Sequence, residues 1–545
     1  MNLNRNSDQA NSGDLAESTH RTAGWFWPVL GLAAFLSLPY YFSLETFFSH
    51  DDFVILHFHK DWPVWKPWVF LRTDVLTFYR PLQSYSLALL YHFFDVTVFP
   101  YCLVLVTVHV ANVVLFGRLV DRLFAARSLT FLSVIFYAAN WEYCDVVFWK
   151  ANYGTALSWL FALGAANTFV GFLRDRKRRH YIGTIGFTVA ALLSKETAVN
   201  MPLLLTLIWA VRLLLSRAAR EAEEGSSAQA ATAGDTRRNA RATVRDFVRV
   251  LGPLYALIGA YGVFHLLFVH DVYAWPPKGY EFATPIEAVE AVARGMTFWL
   301  THFLEAGAAI LAATPARPSL LRWLDHHPYI LPVVLVAAAV ALRNRRVIFG
   351  ILWAVLAFFP ANLIPDAHTA RYYYAALTGI AIIYAEIFLA ADRAIARRWR
   401  FPAVAAARVI GSLLILAIVY ANMIYTTTIV GADGRTCRQI EDVYRFLVRL
   451  RQQGHIRPNT LFRVHCLSTT DHFHEGLGLR EMFKLALRDD SIEAILPKQR
   501  LTDEMLEFLL KQYPPPVELL RLESGRFQLV TAGPTTRTAT LSPPQ

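Results

Sequence analysis

Residues 99–119 read FPYCLVLVTVHVANVVLFGRL, and the placement of this block decides the fold. It carries a single charge, Arg118, near its end. A helix of that length rises about 30 Å, the thickness of a bilayer hydrocarbon core. Arg122 and Arg127 follow directly. An apolar block that ends in arginines is a membrane span with its basic end in the cytoplasm.

Working outward, similar blocks lie at 24–43, 128–141, 152–173, 181–194, 198–215, 248–269, 328–342, 346–361, 373–391 and 403–424. With 99–119 they make about 11 spans. Hydrophobic residues are 55% of the chain, against ~45–50% in soluble proteins. The expected fold is an all-α polytopic membrane protein with a small extracytoplasmic α/β C-terminal domain. The first block is too long for a cleaved leader and reads as an uncleaved first span.

The net charge of +11 excludes no class by itself, but its placement does. The arginines stand in short loops between apolar blocks, not on one basic face, so nucleic acid is not an expected partner. With a cytoplasmic N-terminus, every arginine-rich loop falls inside: Arg174–Arg179, Arg212–Arg249, Arg343–Arg346 and Arg393–Arg400. The block ARGMTFWLTHFLEAGAAILA at 293–312 breaks that register if it crosses. It therefore reads as an interfacial or re-entrant helix carrying His302 and Glu305.

The expected organisation is a cytoplasmic tail at 1–23, a transmembrane domain at 24–428 with an outer loop at 44–98, and an extracytoplasmic domain at 429–545. The last part mixes an amphipathic helix, EDVYRFLVRLRQQ, with strand-like runs, TLFRVHCL and GRFQLV. Cys437 and Cys466 would share an oxidising space there, where a disulfide is expected.

The polar residues cluster in the outer loops. SHDDF places Asp51 and Asp52 just after the first span. Adjacent carboxylates at a membrane surface repel and resist desolvation, so they suggest a base, a metal-ligand pair or a binder of polar substrate. FYRPLQSYSLALLYHFF brings Tyr79 and Arg80; this arginine suits a phosphate, or Asp51 or Asp52. NWEYCDVVFWKAN sets Glu142 and Asp145 one helical turn apart, framed by Trp141, Trp149 and Lys150. LLSKETAVNMP interrupts apolar sequence with Lys195 and Glu196. FFPANLIPDAHTARYYYAALTG puts Arg371 on the side where the charge rule disfavours it, beside Tyr372. Two sets of residues have metal-ligand chemistry without a fixing spacing: His57 with His59, and Asp471, His472, His474 and Glu475.

Taken in order, the acids after the first span, YRPL, SKExAxxxP and PxxxxLIP…ARYxYxxxxG resemble the GT-C superfamily of polytopic glycosyltransferases over residues 24–392. The branch is that of the protein O-mannosyltransferase-like and transmembrane-TPR-type members, without the TPR repeats. Two departures stand out: NWEYCD replaces the usual HPxxxE, and no period of about 34 residues is present.

The resemblance implies a polyprenyl-phosphate-linked sugar donor, a protein or glycan acceptor, and chemistry on the periplasmic or lumenal face. It implies catalytic roles for Asp51 and Asp52. Substrate contacts fall to Tyr79, Arg80, Glu142, Asp145, Lys195, Glu196, Arg371 and Tyr372. No cofactor is required, although Asp51 and Asp52 could share a divalent metal. A lipid-linked saccharide transporter or flippase would carry charges within its spans and often inverted repeats, which this sequence lacks. A non-catalytic scaffold of the same fold would not need the aspartate pair.

Overall fold

The computed structural model describes residues 26–49, 51–72, 74–75, 78–224, 233–271, 284–312, 323–324, 326–362, 370–399, 401–454, 456, 458–465, 479–495, 511, 517–521, 527–531 and 538–540. Helices lie over all eleven apolar blocks. They are α1 (Phe26–Leu36), α4 (Val98–Phe124), α5 (Arg127–Ala138), α7 (Tyr153–Asp175), α8 (Arg178–Ser194), α9 (Met201–Glu224), α10 (Ala233–Phe268), α12 (Ile330–Ala341), α13 (Arg345–Asn362), α15 (Leu377–Arg398) and α16 (Phe401–Gln452). Between them stand α2 (Asp51–His59), α3 (Pro81–Phe94), α6 (Cys144–Phe148), α11 (Pro285–Ala312) and α14 (Ala370–Tyr373). After α16 comes α17 (Leu479–Leu487).

Among the described residues, five helical segments are long and apolar enough to cross a membrane: Val98–Phe124, Lys150–Asp175, Glu196–Leu214, Ala242–Phe268 and Phe401–Gln452. The chain is a multi-pass membrane protein. Part of the difference from eleven is length: α1, α5 and α12 are shorter apolar helices. With 12 residues, α5 rises about 18 Å, short of the ~30 Å core. The 293–312 block is part of α11, one unbroken helix of 28 residues packed against α13, α15 and α16, with Trp299 in the core. The side chains of His302 and Glu305 lie outside the described residues.

Small residues let the bundle close. A Cβ on Gly117 of α4 would meet Val134 of α5 at 2.8 Å. A Cβ on Gly350 of α13 would stand 2.8 Å from the Gly379 carbonyl of α15. Gly117 therefore makes room for a neighbouring side chain, and at Gly350 α13 and α15 approach backbone to backbone, the close packing that small residues permit between membrane helices.

The long α16 runs without a break through the expected border at 428/429. Its end is amphipathic: Ile440, Val443, Leu447 and Leu450 recur at helical spacing and are buried. The strands that follow are β3 (Leu461–His465), β4 (Glu493–Ile495), β5 (Val517–Arg521), β6 (Phe527–Thr531) and β7 (Thr538–Thr540), after β1 (Asp74–Val75) and β2 (His270–Asp271) in the loops. The tail sheet has the order β4-β3-β5-β6-β7. Parallel β3 and β4 are joined through α17, whose Phe483 packs on Phe462 at 5.1 Å. The α17 helix rests on both α16 and α2. The tail therefore sits on the face that carries Asp51 and Asp52.

Candidate functional site where the outer loops converge

Loop segments far apart in sequence meet at one end of the bundle. The first and second loops are joined through Asp52. Its Oδ1 accepts the Ala151 N–H at 2.5 Å and its Oδ2 accepts the Ser49 N–H at 2.9 Å. The carboxyl is buried, and burial raises its pKa to about 6, while Lys150 and the two N–H donors pull it down. At neutral pH it is therefore a carboxylate held by dipoles and a nearby ammonium. Lys150 is buried too and donates to the carbonyls of Thr46 at 2.6 Å and Phe47 at 3.1 Å. Asp51, the neighbouring residue at the start of α2, is exposed.

Gln83 of α3 adds to this strap by donating to the Ala151 carbonyl at 2.8 Å. Gly154 is needed beside it. A Cβ there would run into the Gln83 amide and stand 2.9 Å from the Ser194 carbonyl.

The first and third loops are joined by Arg80 and Glu196. The guanidinium makes two bonds to the carboxylate, Nε to Oε2 at 2.8 Å and Nη2 to Oε1 at 2.6 Å. Tyr79 is buried against Phe264 of α10 at 5.4 Å. Next to Glu196, the buried Lys195 donates to the Thr155 hydroxyl at 2.5 Å and lies over the Tyr372 ring at 5.4 Å. Lys195, Thr155, Ser158, Asn200 and Tyr372 line a cavity of about 30 Å³. That is room for a water molecule, so it is a gap beside the lysine and not a sugar pocket.

The second loop meets the late loop at Glu142. The Asn140 side chain accepts the Glu142 N–H at 2.9 Å and starts a 3-10 turn that packs on α14, where Tyr372 and Tyr373 stand. The Glu142 carboxylate is buried. Asp145 is half-buried, and its carbonyl accepts from Asn152 at 3.2 Å. Arg371 lies on α14; its side chain is outside the described residues.

The sequence pairing of Arg80 with Asp51 or Asp52 is replaced by Arg80 with Glu196, a contact across 116 positions that no local spacing reveals. The two histidines of the first loop part company. His59 Nδ1–H donates to the Ile55 carbonyl at 2.9 Å within an aromatic cluster, whereas His57 turns to the tail. Burial lowers the His59 pKa to about 4, against the pull of that carbonyl, so the ring is neutral. Among the described residues no group of three or more His, Cys, Asp or Glu forms a metal site. His50, Cys466, Asp471, His472, His474 and Glu475 lie outside the described residues, and Cys437 is buried.

Sequence reasoning missed a network inside the bundle. His109 and the Asn112 amide both bond the Tyr374 hydroxyl, at 2.9 and 3.1 Å. The signal was available: two polar residues three apart inside the apolar block of α4 mark an interior face.

The chain is similar to solved structures of ArnT and AglB. ArnT from Cupriavidus metallidurans in the apo state shares 14% identity at a TM-score of 0.45, covering 92% of this chain and 94% of that one. ArnT bound to undecaprenyl phosphate gives 13% and 0.42 over 92% of this chain and 94% of that one. The archaeal oligosaccharyltransferase AglB from Archaeoglobus fulgidus, in complex with an inhibitory peptide and a dolichol-phosphate, gives 12% and 0.45 over 92% of this chain and 70% of its own. No family model and no curated protein matches the sequence.

Proposed function

We propose that the chain is a GT-C-type membrane glycosyltransferase. It moves a sugar from a polyprenyl-phosphate-linked donor to a protein or glycan acceptor on the periplasmic or lumenal face. The observation that carries this reading is the convergence of the loops. Asp52 with Ala151, Arg80 with Glu196, and Lys195 with Thr155 and Tyr372 gather acids, cations and aromatics at one end of an apolar bundle. A lipid-anchored donor presents its phosphate and sugar at such a boundary.

Burial supports a division of labour between the two aspartates. Asp52 spends both oxygens on backbone N–H groups and ties the first loop to the second, so it positions. Asp51 is exposed at the head of the same helix and is the base. An acceptor hydroxyl attacks the anomeric carbon, its proton passes to Asp51, and the bond from that carbon to the phosphate oxygen breaks, with inversion. The departing phosphate gains negative charge, which Lys195 and Arg371 stabilise. Arg80 holds Glu196 beside Lys195 and so sets the field at that lysine. The half-buried Asp145 and Tyr372, backed by the buried Glu142 and Tyr79, complete the acceptor and sugar site.

The test is transfer in vitro. Full-length protein in detergent is given a polyprenyl-phosphate sugar and an acceptor mixture from its own membranes. The expected result is release of polyprenyl phosphate together with a glycosylated acceptor. Movement of intact lipid-linked sugar across a vesicle membrane, with no bond cleavage, would instead mark a transporter.

A further inference from the structure

The end of the bundle opposite Asp52 carries a second polar feature. Tyr101 near the start of α4 packs on Phe48 at 5.0 Å, and Phe124 at its end packs on Phe349 at 5.3 Å. A helix of 27 residues separates the two ends by about 40 Å. Around Phe124 and Phe349 lies a cavity of about 540 Å³.

Its two walls differ in kind. One is apolar, with Leu207, Val211, Leu214 and Leu352, of which Leu214 is 52% and Leu352 44% exposed. The other holds Arg343, Arg345, Arg346 and Arg393 with the single acid Glu386. The buried Glu386 carboxylate is already spent on Arg346 at 3.1 Å and on Arg393. Arg343 and Arg345 are exposed and form no ion pair among the described residues. Four guanidiniums against one carboxylate leave an excess of three positive charges. Arg343 also sits at a φ of 49°, in the left-handed region, so an arginine occupies a turn position where glycine would fit without strain.

We propose that this cavity binds an anionic phospholipid of the leaflet on that face. Its phosphate is held by Arg343 and Arg345, and an acyl chain lies along Leu207, Val211 and Leu352. Basic pockets between membrane helices take phosphate headgroups by this combination of charge and depth. A free phosphate would use the arginines and leave the exposed leucine wall in contact with water, so a ligand with both parts fits better. The proposal is independent of the catalytic reading.

The experiment is native mass spectrometry of the full chain in mild detergent, titrated with phosphatidylglycerol or with phosphatidylcholine of the same acyl length. Wild type should retain phosphatidylglycerol preferentially. The R343Q/R345Q variant should lose roughly tenfold or more of that affinity with an unchanged melting temperature. Leu352→Gln should weaken the lipid too. If the double variant melts early, Arg345→Gln alone supplies the comparison. Equal retention of the two lipids, or wild-type affinity in the arginine variants, would overturn the proposal. So would full displacement of phosphatidylglycerol by millimolar inorganic phosphate with no effect of Leu352→Gln, since that describes a phosphate site without a lipid.

Discussion

Arg80 grips Glu196 through two parallel N–H···O bonds of 2.8 and 2.6 Å, and so fastens the first outer loop to the third. The geometry is specific to a guanidinium, because an ammonium offers a point charge and no fork. Arg80→Ala should lower stability by about 1–3 kcal/mol, the cost of leaving a charged acceptor without its partner. The Glu196 side chain is 34% exposed, so water screens part of the loss. Arg80→Lys should recover only part of it. Thermal unfolding in detergent of the two variants beside wild type measures the difference.

Asp52 makes a sharper prediction. Asp52→Ala strands the N–H groups of Ser49 and Ala151 and removes the counter-charge of Lys150, at about 1–3 kcal/mol for each group left unpaired. Asp52→Asn keeps one acceptor and should lie between. Limited proteolysis of the first outer loop should follow the same order, with Ala cut fastest.

Docking of the tail depends on pH through His57, which bonds Glu481 at 2.7 Å and Asp490 at 2.8 Å, with Lys60 and Lys484 also facing the cluster. Burial works against charge on His57, but the two carboxylates outweigh it and raise its pKa above the ordinary 6.5. That contribution is full below 6.5 and is lost as pH rises through the raised value. Burial likewise opposes charge on the two acids. His57 outweighs it at Glu481, and Lys60 with His57 does so at Asp490, so both pKa values are depressed below the ordinary 4.5 and 3.8. Their contribution is full above 4.5 and is lost as pH falls through the depressed values. Docking is then firmest from about pH 4.5 to 6.5. Hydrogen exchange in α17 should be slowest in that window, and His57→Gln should remove the upper edge. An upper edge that persists in the variant would assign it to another group.

The bundle was largely legible because arginines and apolar blocks alternate along the chain, and each block lies on a helix. Span lengths were less so. The block read at 128–141 ends within three residues of α5, but its 12 residues make a helix shorter than a full crossing needs. The loops that carry the candidate site were readable as charged interruptions of apolar sequence. Their pairings were not, because Arg80 meets Glu196 across 116 positions and His57 meets Asp490 across 433. The division between Asp51 and Asp52 was also hidden: it rests on which of two adjacent residues turns toward the Ala151 N–H.

The arginine loops and the tail's position on the Asp52 face support the proposal that this face lies outside the cytoplasm. A reporter active only outside the cytoplasm, fused after Leu541, should be active. Activity of a cytoplasm-only reporter at that point would invert the assignment of faces.

Asp51 is the proposed base in transfer from a lipid-linked sugar. Asp51→Asn keeps the shape and removes the proton acceptor. The direct measurement is single-turnover transfer by wild type and by Asp51→Asn, each shown to be folded and inserted, with donor binding followed in parallel. The rate should fall by roughly 10²–10⁴-fold with donor binding nearly unchanged. A folded Asp51→Asn protein that transfers sugar at the wild-type rate would contradict this role.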